Sequence, residues 1–425
     1  FPGTFQSNIL MNEEKNKIRA ALIRKKRLEL GWKQEAFVQS LPVSNSTYSE
    51  MERGIRIIPD DLYTLISQKL NLPALTNNWI ENQYDVLLEI KKSLYMCDYT
   101  QALSLKISIE EIDEILNNSI LFLEYNLTLL YFEVTCNKKK EYPQIQFLQE
   151  YEKCLSISQK YEFVLYQGIA EKNNLRLDNA TRQFKKLLDL PYTISHYTDI
   201  LYYHYVICLI QIGHLTLAHN YNKKAEALFK EEGNITRLAF TLMHEAIIYS
   251  HENHPHEAGI EYEKILSIYS KHLPDQVINT ILCNAGKNYI NAKEYENAIV
   301  IYKQLKSNWQ TIPEIFYGIA WTLLHTDQLE ELDKFLIYCK QYEKNKFIED
   351  MLQIIDMQRT PNKEKEIESK LKACEKYLNR EGSSEGMIFV YEQLIQYYET
   401  RSIVKQVKYL KKLNELNKRG MQYDQ

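Results

Sequence analysis

Three segments decide how this chain folds: Gly213–Ala225 (GHLTLAHNYNKKA), Asn253–Leu266 (NHPHEAGIEYEKIL) and Ala292–Leu305 (AKEYENAIVIYKQL). Each is a polar turn followed by an amphipathic helix, and together they set Ala218, Ala258 and Ala298 at one shared position, 40 residues apart. An apolar run of helix length precedes each turn, so the unit is a helix pair. The clear copies are Ile200–Lys230, Ala239–Tyr269, Asn279–Leu305 and Pro313–Tyr342. Looser copies span Trp79–Lys106, Asp113–Lys160, Tyr161–Leu190, Phe347–Leu378 and Glu385–Asn417. A single hairpin cannot bury its apolar face alone, so two-helix units with a period of roughly 34–47 residues stack into an α-solenoid. Only 12 Gly and 10 Pro punctuate the 425 residues, which favours long helices and short turns over many strands.

The Tyr/Leu/Gly-or-Ala/Tyr…Ala pattern of these copies resembles divergent tetratricopeptide repeats. That resemblance implies a right-handed solenoid with a concave face lined by the first helix of each pair. Most of the 32 Tyr then belong to the repeat core. Aligning the shared Ala residues puts His204, His244 and Asn284 at one equivalent inner position, each preceded by Tyr203, Met243 or Cys283. Lys287, Asn288 and Asn291 follow one or two turns on, and Arg237 stands at the entrance to the helix of His244. The run Asn279–Asn291 (NTILCNAGKNYIN) is rich in Asn, a residue that helices disfavour. Asn can hold an amide at two atoms, and Arg or Lys can take a carboxylate. His204, Arg237, His244, Asn284, Lys287, Asn288 and Asn291 are therefore the expected contacts of an extended peptide; the alternative is a polar surface on an Asn-rich chain.

Upstream, the organisation changes. Residues 11–75 carry 11 Lys/Arg against 8 Asp/Glu, a small basic head on a chain of net charge −4. Residues 16–31 read as a helix with Gly31 as its C-terminal cap. Lys33–Leu41 reads as a second, and Asn45–Arg53, capped by Ser44 and stopped at Gly54, as a third. Pro59-Asp60-Asp61 opens a fourth that runs to Leu70. Short helices packed this closely suit a helix-turn-helix.

The stretch Arg24–Leu72 (RKKRLELGWKQEAFVQSLPVSNSTYSEMERGIRIIPDDLYTLISQKLNL) resembles the lambda-repressor-like, Xre-type helix-turn-helix. The matching residues are Arg27, Gly31 and Gln34, then Ser49, Met51, Glu52, Arg53 and Gly54, then Pro59 and Leu62. The resemblance implies that Gln34 opens the second helix against a phosphate or base. It places Asn45, Ser46 and Glu50 on the base-facing side of the recognition helix, with Thr47 and Tyr48 beside them. It also implies that Arg27 and Glu52 form an internal ion pair. Asn suits adenine and Glu suits cytosine N4. Lys25, Lys26, Lys33, Arg53 and Arg56 are the candidate phosphate neutralisers. Two positions depart from the pattern: Pro42 replaces the usual turn glycine, and Val38 a small residue.

The rest of the chain carries little chemistry. The seven Cys are scattered with no CxxC pair, as in a reducing compartment. His251, His254 and His256 fall in a turn with no fourth ligand nearby, so no metal or other cofactor is expected. There is no HExxH, phosphate-binding Gly-rich loop or GxSxG, and the chain does not read as an enzyme. No apolar run approaches the ~18 residues of a membrane span, no secretory signal precedes the head, and a cytoplasmic location is expected. Phe1–Leu10 reads as a tag remnant and Met11 as the native start. The expected domains are thus residues 11–75 for the head and 76–425 for the repeats.

Head plus repeats resembles the RNPP group of peptide-pheromone receptors. The resemblance implies a homodimeric quorum-sensing transcription regulator that binds a double-stranded operator and changes its DNA binding when a short peptide occupies the repeats. Two other readings stand beside it: repeats that dock a protein partner, or repeats that only dimerise. The dimer contact is expected in residues 347–417, because terminal repeats need a cap or a partner.

Overall fold

A computed structural model describes residues 12–137, 141–190, 197–360, 362–381 and 384–419. Residues 1–10, expected to be a tag remnant, and Met11 lie outside these. Among the described residues every regular element is helical. The head comprises α1 (Asn12–Glu29), α2 (Gln34–Val38), α3 (Asn45–Glu52) and α4 (Asp60–Lys69). The described residues then form nine hairpins. The first three are α5 (Asn77–Tyr95) with α6 (Tyr99–Glu110); then, after the short α7 (Asp113–Asn117), α8 (Phe122–Cys136) with α9 (Pro143–Glu150); and α10 (Ile157–Asn173) with α11 (Leu177–Leu188). The remaining pairs are α12 (Thr198–Gln211) and α13 (Leu215–Glu231), α14 (Ile235–His251) and α15 (Pro255–Tyr269), α16 (Asp275–Asn291) and α17 (Tyr295–Tyr302), α18 (Pro313–His325) and α19 (Leu329–Cys339), α20 (Lys346–Gln358) and α21 (Glu364–Glu381), and α22 (Ser384–Glu399) and α23 (Ile403–Arg419). The chain forms two compact units that divide between Leu201 and Tyr202.

The first unit holds both the head and the first three hairpins. Ile23, Phe37, Val38, Tyr48, Met51, Leu62 and Ile66 pack as the head core. Helix α1 also packs on the 3-10 turn Glu152–Cys154, and Lys25 Nζ donates to the Asn117 carbonyl at 3.1 Å. Lys25 is buried by this contact. It anchors the head to the hairpins, which removes it from the expected phosphate contacts.

Six of the hairpins share one turn. Cys97, Leu175, Gly213, Asn253, Lys293 and Asp327 all have positive φ, between 53° and 83°. Each stands five residues before a fully buried small or branched residue: Ala102, Ala180, Ala218, Ala258, Ala298 and Leu332. The left-handed residue ends the first helix and aims the second back along it, and the buried residue lets the two approach. Gly213 takes this conformation freely, whereas a branched side chain costs roughly 1–2 kcal/mol. Leu175 is half exposed and loses little packing if removed. Leu175→Gly should therefore raise stability by about 0.5–1 kcal/mol after glycine's own entropy cost. A urea midpoint that falls instead would show that the Leu175 side chain contributes more than its strain.

Close approach also explains the glycines inside first helices. A Cβ on Gly286 would overlap the Tyr302 ring, which leans on Gly318 from the other side. Gly286→Val should cost about 1–3 kcal/mol through overpacking. A thermal midpoint left unchanged would mean that Tyr302 can swing clear.

Candidate functional site

The third head helix starts where the local chemistry sets it. Ser44 is the N-cap, with its Oγ accepting from Thr47 N at 3.2 Å. That cap leaves Asn45 and Ser46 exposed on the first turn. Thr47 is half-buried and its Oγ1 accepts from Ser44 Oγ at 2.9 Å. Glu50 is partly exposed, with Arg56 3.5 Å away. Arg53 is exposed and its Nε donates to the Ser49 carbonyl at 3.1 Å; Lys33 is exposed at the start of α2. Lys33, Asn45, Ser46, Glu50, Arg53 and Arg56 thus keep polar atoms at the surface of the head.

Behind them lies a buried polar network. Arg27 Nε and Nη2 donate to the two Glu52 oxygens at 2.6 and 3.0 Å. The ion pair implied by the resemblance is present, and its hydrogen bond to Glu52 raises the Arg27 pKa. Gln34, half-buried, donates from Nε2 to the same carboxylate at 3.0 Å and so braces the ion pair.

Tyr48 requires a correction. The resemblance sets it beside the bases, but it is 1% exposed. Its ring packs on Phe37 with centroids 5.6 Å apart, and its hydroxyl donates to Glu52 at 3.4 Å. Burial, with the Glu52 charge added, pushes its phenol far above the usual range. The helical repeat turns residue 48 inward between the exposed residues 46 and 50, and the aromatic ring follows the apolar face.

In the second unit the expected peptide contacts separate into two groups. The first centres on Tyr203. The Arg237 guanidinium lies 4.9 Å from its ring centroid, and the His244 ring lies 4.9 Å away, tilted by 39°. His204 meets the Tyr203 ring edge-on at 5.1 Å. His204, Arg237 and His244 are all buried. The second group runs along α16. Asn284 is half-buried and its Nδ2 donates to the Thr280 carbonyl at 2.9 Å, with the Met243 sulfur at 3.5 Å. Lys287 and Asn291 are exposed.

Asn288 stands apart. It is 2% exposed, and its Nδ2 donates to the Pro255 carbonyl at 2.8 Å. Here its amide ties α16 to the start of α15 instead of facing outward as a clamp. Neighbouring residues of one helix thus take two roles, because Asn288 is buried against the preceding hairpin while Lys287 is exposed.

Sequence reasoning passed over two other polar groups. Glu245 is buried; its carboxylate accepts from Asn222 Nδ2 at 3.0 Å and lies 2.8 Å from His219 Nδ1. In the first unit Lys91 is buried between Glu124 and Glu162. Glu124 offered a signal, since it sits inside the apolar run FLEYNLTLLYF. Lys91 and Glu162 offered none.

An Xre-type helix-turn-helix head carried on a tetratricopeptide-like α-solenoid defines the class of this protein. Residues 23–75 match the family described as Helix-turn-helix. The fold is similar to the apo form of the quorum sensor NprR from B. thuringiensis, with 18% identity, a TM-score of 0.57, and coverage of 79% of this chain and 99% of that one. It is similar to a Rap protein complexed with Competence and Sporulation Factor, at 13% identity, TM-score 0.63, and coverage of 80% and 99%. It is also similar to NprR in complex with its cognate peptide NprX, at 17% identity, TM-score 0.56, and coverage of 78% and 98%. At these identities the likeness is one of fold. A comparison with curated protein sequences finds no match. Among the described residues, no helix is long and apolar enough to cross a membrane.

Proposed function

We propose that this chain is an RNPP-type receptor: a cytoplasmic, homodimeric transcription regulator that reads an operator through its head and a short signalling peptide through its repeats. The observation that carries this reading is the pairing, in one chain, of an Xre-type head with exposed polar residues on its recognition helix and a repeat array of the NprR fold. NprR itself forms a complex with a cognate peptide, NprX. In this chain the peptide's place is the first-helix face where Asn284, Lys287 and Asn291 reach solvent, above the buried His204, Arg237 and His244. Lys287, the exposed cation of this set, suits a carboxylate, and the Asn amides supply donors and acceptors for peptide backbone. Ligand that prefers one arrangement of the dimer shifts the affinity for DNA by its differential binding alone.

Native mass spectrometry of protein taken from its own host tests this. The expected result is an added mass, per subunit, of a short peptide, lost in a variant carrying Asn284→Ala and Lys287→Ala. A subunit mass without addition at every growth stage would overturn the peptide reading and leave the DNA-binding one.

A further inference from the structure

The second helix of a pair meets the first helix of the next at recurring positions. In α13 they are the fifth and eighth residues, His219 and Asn222. Both reach Glu245 on α14, at 2.8 and 3.0 Å, and the ninth residue, Lys223, lies 3.4 Å from the same carboxylate. In α15 the fifth residue is Gly259, where a Cβ would crowd the Tyr289 hydroxyl of α16. In α17 the eighth residue is Tyr302, whose hydroxyl presses on Gly318 of α18. In α19 the fifth is Asp333, which pairs with Arg359 at the end of α20. Four successive junctions thus use one stripe of the second helix to receive the helix that follows.

Helix α23 is the last of the described helices, and on it that stripe is bare. Its fifth and eighth residues are Val407 and Leu410, 42% and 45% exposed. Ile403 and Asn414, one turn to either side, continue the stripe, and the exposed Val404 widens it. The rest of the helix is engaged in its own hairpin. Tyr409 is buried, and Lys405 and Lys412 pair with Glu368 and Glu375 of α21. A terminal repeat ordinarily turns a polar face outward. Here the outward face is apolar at the positions that elsewhere receive a helix.

The charge beside the stripe selects the occupant. Lys411 is the ninth residue of α23, the position that Lys223 holds in α13, and Lys223 meets a glutamate of the arriving helix. Lys408 lies one turn before it on the same flank. Both are exposed, and neither meets a carboxylate among the described residues. A second copy of α23 is a poor match, because no acidic residue lies between Ile403 and Asn414 to answer the two lysines. A membrane surface is a poor match too. Interfacial helices bury Trp, Phe or Leu, whereas this stripe is mainly β-branched and the one aromatic of the helix, Tyr409, is buried.

We propose that α23 receives an amphipathic, acidic helix of another protein, seated as the first helix of a further pair would be. Its apolar side covers Ile403, Val407 and Leu410, which stand at i, i+4 and i+7, and its carboxylates reach Lys408 and Lys411. This contact is separate from the peptide and the operator and rests on neither.

Fluorescence anisotropy with the full chain tests it. The probe is a labelled synthetic helix with a leucine stripe flanked by glutamates, and its twin carries lysines in their place. The glutamate peptide should bind, and the lysine peptide at least ~10-fold more weakly. Val407→Lys should weaken the glutamate peptide by a similar factor, and Lys408→Glu with Lys411→Glu should reverse the preference. Ile268→Lys, at an exposed apolar site on α15, should change neither. Circular dichroism checks that each variant is folded, and the charge reversal carries the test if Val407→Lys is not. Equal affinity for the two peptides, no binding of either, or binding that Val407→Lys leaves intact would overturn the proposal. So would self-association in sedimentation velocity, or binding to vesicles of mixed phosphatidylcholine and phosphatidylserine, that Val407→Lys abolishes. The first assigns the stripe to a second copy and the second to a membrane.

Discussion

Replacing Lys91 with Met should destabilise the first compact unit by about 3–5 kcal/mol, the usual cost of stranding a buried charge. Lys91 is 1% exposed. Its ammonium pairs with Glu124 and lies 2.6 Å from Glu162, so one cation joins α5, α8 and α10. Gln159 Nε2 donates to Glu124 at 2.8 Å and the Tyr166 hydroxyl to Glu162 at 3.3 Å. Without the ammonium, two carboxylates face each other in a site closed to water. The triple variant Lys91→Met, Glu124→Gln, Glu162→Leu should recover most of the loss, because an apolar replacement of a whole buried ion cluster is often neutral. Urea unfolding followed by circular dichroism measures both. A single variant that loses less than about 1 kcal/mol would show that water reaches the site.

The same cluster sets a pH dependence. Burial raises the Glu162 pKa, and Lys91 only partly opposes it. Burial alone would lower the Lys91 pKa, but Glu124 and Glu162 together outweigh it and raise it well above the usual lysine range. A carboxyl with a raised folded pKa contributes stability that is fully present below its unfolded value, about 4.3. That contribution is lost as pH climbs through the raised value. Glu162→Gln should therefore flatten the decline in stability above about pH 4.3. An unchanged slope would assign the decline to another group.

The second large effect belongs to the reading face. Asn45→Ala together with Glu50→Ala should erase discrimination between the preferred operator and unrelated DNA, since each good base pairing is worth about 1–3 kcal/mol. Weak binding should remain and fall steeply with salt, because Lys33, Arg53 and Arg56, the proposed phosphate contacts, are unchanged. The preferred sequence comes first from selection of wild type on a random pool, and a gel-shift competition then compares the variants. Tyr48→Phe should keep both preference and affinity, because that ring works inside the core. Preference that survives the double change, or vanishes with Tyr48→Phe, would place the base contacts on other residues.

Much of the architecture is legible in the sequence. The equal spacing of Ala218, Ala258 and Ala298 locates the hairpins, and Ser44, Gly31 and Gly54 mark helix ends where the structure has them. The repeat pattern makes Asp113–Lys160 a single hairpin, yet the segment contains the extra helix α7 and a 3-10 turn. That turn is where α1 rests, a contact between distant segments that local pattern does not encode. Leu175 and Lys293 hold left-handed turns without the Gly or Asn that would announce them.

The sequence by itself determined the helices, their pairing and the class of the head, because capping and apolar periodicity act within a few residues and repeat down the chain. Only the tertiary structure decided the fate of the polar side chains. It turned Tyr48 into the core, tied Asn288 to Pro255, seated Lys25 on Asn117, and joined Lys91 to a carboxylate 71 residues away. A buried polar group must find its partner wherever packing places one, and that partner is set by distance in space, which local spacing along the chain does not carry.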